Sequence, residues 1–152
     1  MNNPTFRGGA TLVALLVSAT ALAAQEHTLP ASRVPAAVRE AFRRAWPHAT
    51  VLKYSTEVEH GKTIYEVESR DGTTRRDLDI GADGTILETE TQVAAAALPA
   101  AVRTAAEANG AHIQLAEFVV AGADTSYEIK IRGRRGEVRL HKDGTPMPPE
   151  QP

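Results

Sequence analysis

The sequence predicts an α+β fold: a tandem repeat of one helix plus a four-stranded antiparallel meander, with the helices packed on one face of the sheet. Two observations predict it. The first is an internal repeat. Val34-Pro-Ala-Ala-Val-Arg39 returns as Leu98-Pro-Ala-Ala-Val-Arg103, Tyr65-Glu-Val67 as Tyr127-Glu-Ile129, and Asp83-Gly-Thr85 as Asp143-Gly-Thr145. These segments recur 64, 62 and 60 residues later, so their order is kept and only loop lengths drift. The second is a switch of hydrophobic periodicity inside each copy, from helical spacing to strand alternation.

The chain divides accordingly into an export signal (1–23), a leader (24–33), a first repeat (34–90), a linker (91–97), a second repeat (98–145) and a proline-rich tail (146–152). Arg7 is the only charged side chain before Glu26, the run from Ala10 to Ala24 is apolar, and Ala21-Leu22-Ala23 offers small residues for cleavage near Ala23. The run has 15 residues, short of the ~20 that a membrane span needs, so no transmembrane anchor is expected after cleavage. The expected location is periplasmic or secreted. Gln25 to Leu29 read as a flexible leader. The chain has no cysteine, which excludes disulfides and a lipid-bearing cysteine at the cut. Without Arg7, 16 basic and 19 acidic residues remain, a net charge of −3 that argues against a nucleic-acid partner.

In the first copy Pro35 opens a helix, where its missing N–H costs nothing. Val38, Ala41, Phe42 and Ala45 follow at helical spacing, and Trp46-Pro47 ends the helix. In the second, Pro99 opens a helix with Val102, Ala105 and Ala106 inward, and Asn109-Gly110 closes it. Ala106 stands where the first copy has Phe42, so the second helix should sit closer to its sheet. Strands are expected at 51–59, 62–70, 73–80 and 85–90, then at 113–121, 125–132 and 135–141, with a last strand cut short by Pro146. Turns fall at His60-Gly61, Asp71-Gly72 and Gly133-Arg134. An Asp71-Gly72 turn would set Glu66 opposite Asp77 and Tyr65 opposite Leu78. A Gly133-Arg134 turn would set Glu128 opposite Arg139 and Tyr127 opposite Leu140. Alternation then turns Tyr54, Thr56, Val58, Tyr65, Val67, Leu78, Ile80 and Leu87 toward the helices, with Ile113, Leu115, Val119, Tyr127, Ile129, Val138 and Leu140 as counterparts.

An export signal, then Leu-Pro-x-x-Val-type helix openings, a helix closing at Trp46-Pro47, the Tyr65-Glu-Val67 strand, Asp-Gly turns and the closing Ala82-Asp-Gly-Thr-Ile-Leu-Glu88 together resemble the PepSY-like, β-lactamase-inhibitor-like group of bacterial periplasmic and secreted domains. The resemblance covers 34–90 well and 98–145 more weakly, since Ala106 and Gly110 replace the aromatics of the first copy. It implies tandem units that join into one wide sheet, an open face that restrains an enzyme, and no catalytic residues.

The open face differs between the copies. The first carries Glu57, Glu59, Glu66, Glu68, Asp77, Asp79, Glu88 and Glu90. The second has Lys130 where the first has Glu68, and His141 where it has Asp79. The residues singled out for partner binding are Glu57, Glu66, Asp77 and Asp79 on the acidic side and Lys130, Arg132, Arg139 and His141 on the other. Three readings of the acidic face stay open: a solvated surface, a docking face for a basic protein or peptide, and a weak site for a hard cation at Glu66, Asp77 and Asp79. The basic cluster of Lys130, Arg132, Arg134, Arg135, Arg139 and Lys142 reads as a solvated turn and face, as a site for an acidic partner or anionic lipid surface, or as the complement of the acidic face in a weak homodimer. No cofactor is called for. Without a nucleophile motif, a phosphate loop or a helical His pair, the chain reads as a non-enzymatic domain that binds a protein or peptide; the resemblance implies that the partner it restrains is a peptidase or cell-wall enzyme. The alternative is an acidic-face cation-binding or envelope-stress protein.

Overall fold

A computed structural model describes residues 27–148; the expected export signal and residues 149–152 lie outside the described residues. The elements run β1 (His27–Leu29), α1 (Ala36–Ala45), β2 (Thr50–Glu59), β3 (Lys62–Asp71), β4 (Thr74–Gly81), β5 (Ile86–Gln92), α2 (Ala100–Ala106), β6 (Ile113–Ala121), β7 (Asp124–Ile131) and β8 (Glu137–Leu140). All eight strands form one antiparallel sheet in sequence order, so the class is α+β with two helices on a continuous sheet.

The sheet departs from the expected unit in three places. His27–Leu29 is an edge strand rather than a flexible leader: Leu29 pairs with Tyr54 and packs on the first core cluster. Thr91 and Gln92, expected in the linker, extend β5 and pair with Phe118 and Glu117. Three strands rather than four follow α2. A single bridge between Leu140 and Pro146 stands in place of the fourth, because proline has no N–H to carry a ladder onward.

Both helices pack on the same face. Val38, Ala41 and Phe42 of α1 bury against Val67, Leu78 and Ile80, while Val102 of α2 buries against Ala116, Ile129, Ile131 and Leu140. Between these clusters β5 presents Thr89 and Thr91, opposite Val120 and Phe118, so the apolar core is interrupted at the seam between the halves. Trp46 plugs the first cluster: Phe42 meets it edge-on at 6.2 Å and the Arg76 guanidinium lies 5.4 Å over its ring. Ala105, expected inward, is exposed, whereas Ala106 packs on the core. Val58 and Leu87 lie at the sheet margin and are exposed.

Turn chemistry sets the registers. His60 and Gly61 both have positive φ, and their two-residue turn sets Glu59 opposite Lys62 as expected. In the next hairpin the loop is Gly72-Thr73 rather than Asp71-Gly72. Only Gly72 has positive φ, and Asp71 pairs with Thr74. The register therefore slides by two residues, which preserves the faces and changes the partners: Tyr65 pairs with Ile80, Val67 with Leu78, Glu68 with Asp77, and Glu66 with Asp79 rather than Asp77. The expected pairs Glu128–Arg139 and Tyr127–Leu140 form. In β6 a bulge between Ile113 and Leu115 reverses the alternation. Ala116 and Phe118 consequently face the helices, while Leu115 and Val119 turn to the open face, opposite to the expectation.

The turns after β4 and β8 press on the helices. A Cβ at Gly84 (φ +88°) would lie 2.9 Å from the Ala37 carbonyl oxygen, and one at Gly144 (φ +83°) 2.6 Å from that of Ala101. The closer approach belongs to α2, the helix with the smaller side chains. Replacing Gly144 with Ala should destabilise the fold by ~2 kcal/mol or more, through backbone overlap added to left-handed strain. At Gly122 (φ +60°), where nothing lies within 4 Å, the same change should cost only ~1 kcal/mol. Urea unfolding of the two variants checks this; equal losses would mean that α2 does not rest on the turn.

Candidate functional site

The face turned away from the helices is a basin. It has a volume of about 320 Å³ and is lined by Glu57, Glu59, Glu66, Asp77, Asp79, Glu88, Glu90, Glu128 and Glu137, with Arg139 as the one basic residue. Nine carboxyls from β2, β3, β4, β5, β7 and β8 thus surround one guanidinium.

Arg139 ties the two halves together. Its guanidinium donates to Glu88 at 2.6 and 3.0 Å, donates to Glu128 at 2.9 and 3.1 Å, and lies 3.7 Å from Glu90. The sequence pointed to a second copy that neutralises itself through the Glu128–Arg139 pair and a first copy left uncompensated. The pair forms, but the same guanidinium also serves the first half, and the acidic surface is continuous across the seam. Arg75 plays a similar part toward the sheet's other end: it donates to Glu68 and to Asp77, each at 3.0 Å, and Lys53 donates to Glu68 as well. Ser55 donates its hydroxyl to Glu66 at 2.9 Å.

Crowding and burial together shift the titration of this cluster. Burial, reinforced by Glu66 and Glu88, pushes Asp79 up to about 8. Burial and then Glu128 and Glu117 push Glu90 up to about 10. Burial and then Asp77 push Glu117 up to about 7. Burial, with a proton shared with Glu137, pushes Glu128 up to about 8. Burial also raises Asp77, against the pull of its Arg75 hydrogen bond. Burial opposes the charge on Arg139, yet Glu88 and Glu128 hold the guanidinium above its ordinary value. At neutral pH the basin is a partly protonated carboxyl network rather than a set of independent charges.

Of the residues singled out in the sequence, Glu57, Glu66, Asp77, Asp79 and Arg139 meet in the basin. Lys130 sits at the rim, 3.5 Å from Glu137. Arg132 is exposed just past β7, and His141 is exposed just past β8; neither lines the basin. The residue that sequence reasoning missed is Glu117. Simple alternation from Ile113 would have counted it toward the helix side, but the β6 bulge turns it into the acidic face opposite Glu128 and Gln92. The signal lay in Ala116, Phe118 and Val120, which make an equally apolar alternate phase of the strand.

The family model described as β-lactamase-inhibitor-like, PepSY-like matches the chain twice, over residues 20–88 and 73–145. The chain belongs to the PepSY-like family. Solved structures agree on the fold. A protein from Bacteroides eggerthii, provisionally described as periplasmic, superposes with a TM-score of 0.61 at 15% identity over 76% of this chain and 86% of its own. A BLIP-like protein from Bacteroides fragilis gives 0.54 at 21% over 78% and 84%. A DUF2874 family protein from Bacteroides uniformis gives 0.56 at 15% over 75% and 86%. No curated protein matches the sequence. Among the described residues no helix is long and apolar enough to cross a membrane.

The raised carboxyls carry a sign. A carboxyl whose folded pKa exceeds its unfolded value of ~4 contributes stability that is full below the unfolded value and is lost as pH rises through the folded value. Asp79, Glu117 and Glu128, raised to about 8, 7 and 8, should make the protein most stable near pH ~5 and progressively less so toward pH ~9. Asp79→Asn should flatten this slope and raise the melting temperature at pH ~8 by a few degrees. Thermal melts across pH check it; a melting temperature that rises from pH 5 to 8 would contradict the assignment.

Proposed function

We propose that this PepSY-like chain is an exported, non-enzymatic binding module that holds a basic, extended segment of a protein partner in the carboxyl basin of its open sheet face. The observation that carries the reading is the basin's lining of nine carboxyls against one guanidinium. A cationic side chain entering there would replace protons and relieve like-charge crowding, so the energy of a strained acidic network becomes binding energy. Rows of carboxyls on adjacent strands suit a segment whose basic side chains recur every second residue.

Two further features support a module without catalysis. Two of the strand serines are occupied as structural donors: Ser55 bonds Glu66, and Ser69 donates to the Arg76 carbonyl at 2.7 Å. The described histidines, at 27, 48, 60, 112 and 141, are all exposed, spread among strand ends and turns. The family description as β-lactamase-inhibitor-like favours restraint of an enzyme, a peptidase or cell-wall enzyme being the class that an exported partner suggests. The apolar run at residues 10–24 and the family's periplasmic relatives support export.

The test is fluorescence anisotropy with two labelled peptides of equal length, one with alternating Arg and one with alternating Glu. The Arg peptide should bind and the Glu peptide should not. Glu57→Lys with Glu66→Lys should weaken binding at least tenfold without loss of cooperative unfolding, and 0.5 M NaCl should act in the same direction. Equal binding of both peptides, or an unchanged affinity in the double variant, would overturn the reading.

A further inference from the structure

We propose that Asp77, Glu90 and Glu117 form a binding site for a hard divalent cation of calcium's size at the margin of the basin, which Asp77 and Glu90 line and Glu117 adjoins. The three residues come from adjacent strands: Asp77 on β4 pairs with Glu90 on β5, and Glu117 on β6 pairs with Gln92, two residues further along β5. One carboxylate oxygen from each lies within 4.8 Å of the other two. Calcium bonds oxygen at ~2.3–2.6 Å, so oxygens on either side of the ion stand up to ~5 Å apart and this spacing receives it without rearrangement. Magnesium, at ~2.0–2.1 Å, would require the set to contract. The donors are all carboxylate oxygens, which selects against zinc and copper.

An acidic trio alone would be an ordinary acidic surface. The second observation is an orphaned atom. Oε1 of Glu117 is buried and has no hydrogen-bond partner among the described residues, on a residue that is only 5% exposed and whose carboxylate belongs to the trio. Asp77 is equally enclosed, at 5%. Buried polar oxygens are nearly always satisfied, so an unsatisfied one facing two further carboxyls marks the place of a missing positive ligand. The nearby guanidiniums are each shared with carboxylates outside the trio, and neither makes a hydrogen bond to Glu117. Arg75 spans Glu68 and Asp77, and Arg139 is held mainly by Glu88 and Glu128. Calcium would join the three carboxyls that these two arginines leave incompletely compensated, with water from the open basin completing its shell. Three protein ligands imply weak binding, with Kd of ~10⁻⁴–10⁻³ M, the range of extracellular calcium modules.

The site is separate from the docking positions Glu57 and Glu66, and its test does not depend on any peptide. The chelator-treated protein is titrated with CaCl₂ in calorimetry and thermal melts at pH 8, with NaCl at matched ionic strength as the control. Calcium at 10 mM should raise the melting temperature by several degrees and give a saturable heat, and MgCl₂ should do less. Glu117→Gln should abolish both signals, while Glu40→Gln, on the solvent side of α1, should leave them intact. Glu90→Gln serves as the second variant should Glu117→Gln fail to fold. Absence of a calcium response, an equal response to NaCl, or a response that survives Glu117→Gln or Glu90→Gln would overturn the proposal.

Discussion

Arg139 stands on β8 and grips Glu88 on β5, three strands away. On a flat sheet three inter-strand steps span about 14 Å, a distance that would leave both side chains fully stretched along the sheet. The 2.6 Å contact is therefore favoured by a curled sheet, and it requires β5 and β6 to pair across the seam. Bulges in β2, β5 and β6 add bend and twist to the sheet. Everything else on the open face follows from this closure. It converts rows of exposed carboxylates into a basin, removes Asp77 and Glu117 from water, and gathers residues from both halves around one guanidinium.

Such a cluster is an odd thing for a protein to keep if stability were its only use. The helix face does the folding: two apolar clusters, each capped by a helix, separated by the threonines of β5. The open face works against that gain. Its carboxyls hold protons that water would strip from them, and removing charge there should cost the fold little. Two arginines offset part of the repulsion and fix the geometry of the rest, leaving a surface preorganised for positive charge. Preorganisation of this sort favours binding because the cost of bringing like charges together is met during folding rather than during association.

Much of the fold was legible because it is local. The helix starts at Pro35 and Pro99, the His60-Gly61 turn and the Glu128–Arg139 pair depend on residues close in sequence. The loop lies at Gly72-Thr73, one residue beyond the expected turn, which moves the strand partners by two; a two-residue slip leaves the apolar face unchanged, so hydrophobic alternation cannot detect it. It does change which carboxyls meet: Glu66 faces Asp79. The bulge after Ile113 was hidden for a different reason, since both phases of β6 are apolar enough to bury. The β5–β6 seam was least legible, because α2 and its flanking turns separate the two strands and threonines mark the joint instead of a hydrophobic stripe. The candidate site was consequently half seen: its members were visible on each copy, but their convergence was a property of the closed sheet.

The basin depends on Arg139 and Glu88 being energetically linked across the seam, and a double-mutant cycle in urea measures that link. Arg139→Met, Glu88→Gln and the double variant should show a coupling free energy of at least ~1 kcal/mol, within the range for residues in one ion-pair network. Effects that add to within ~0.3 kcal/mol would mean that the two residues do not meet in solution, and that the sheet does not close into the basin described.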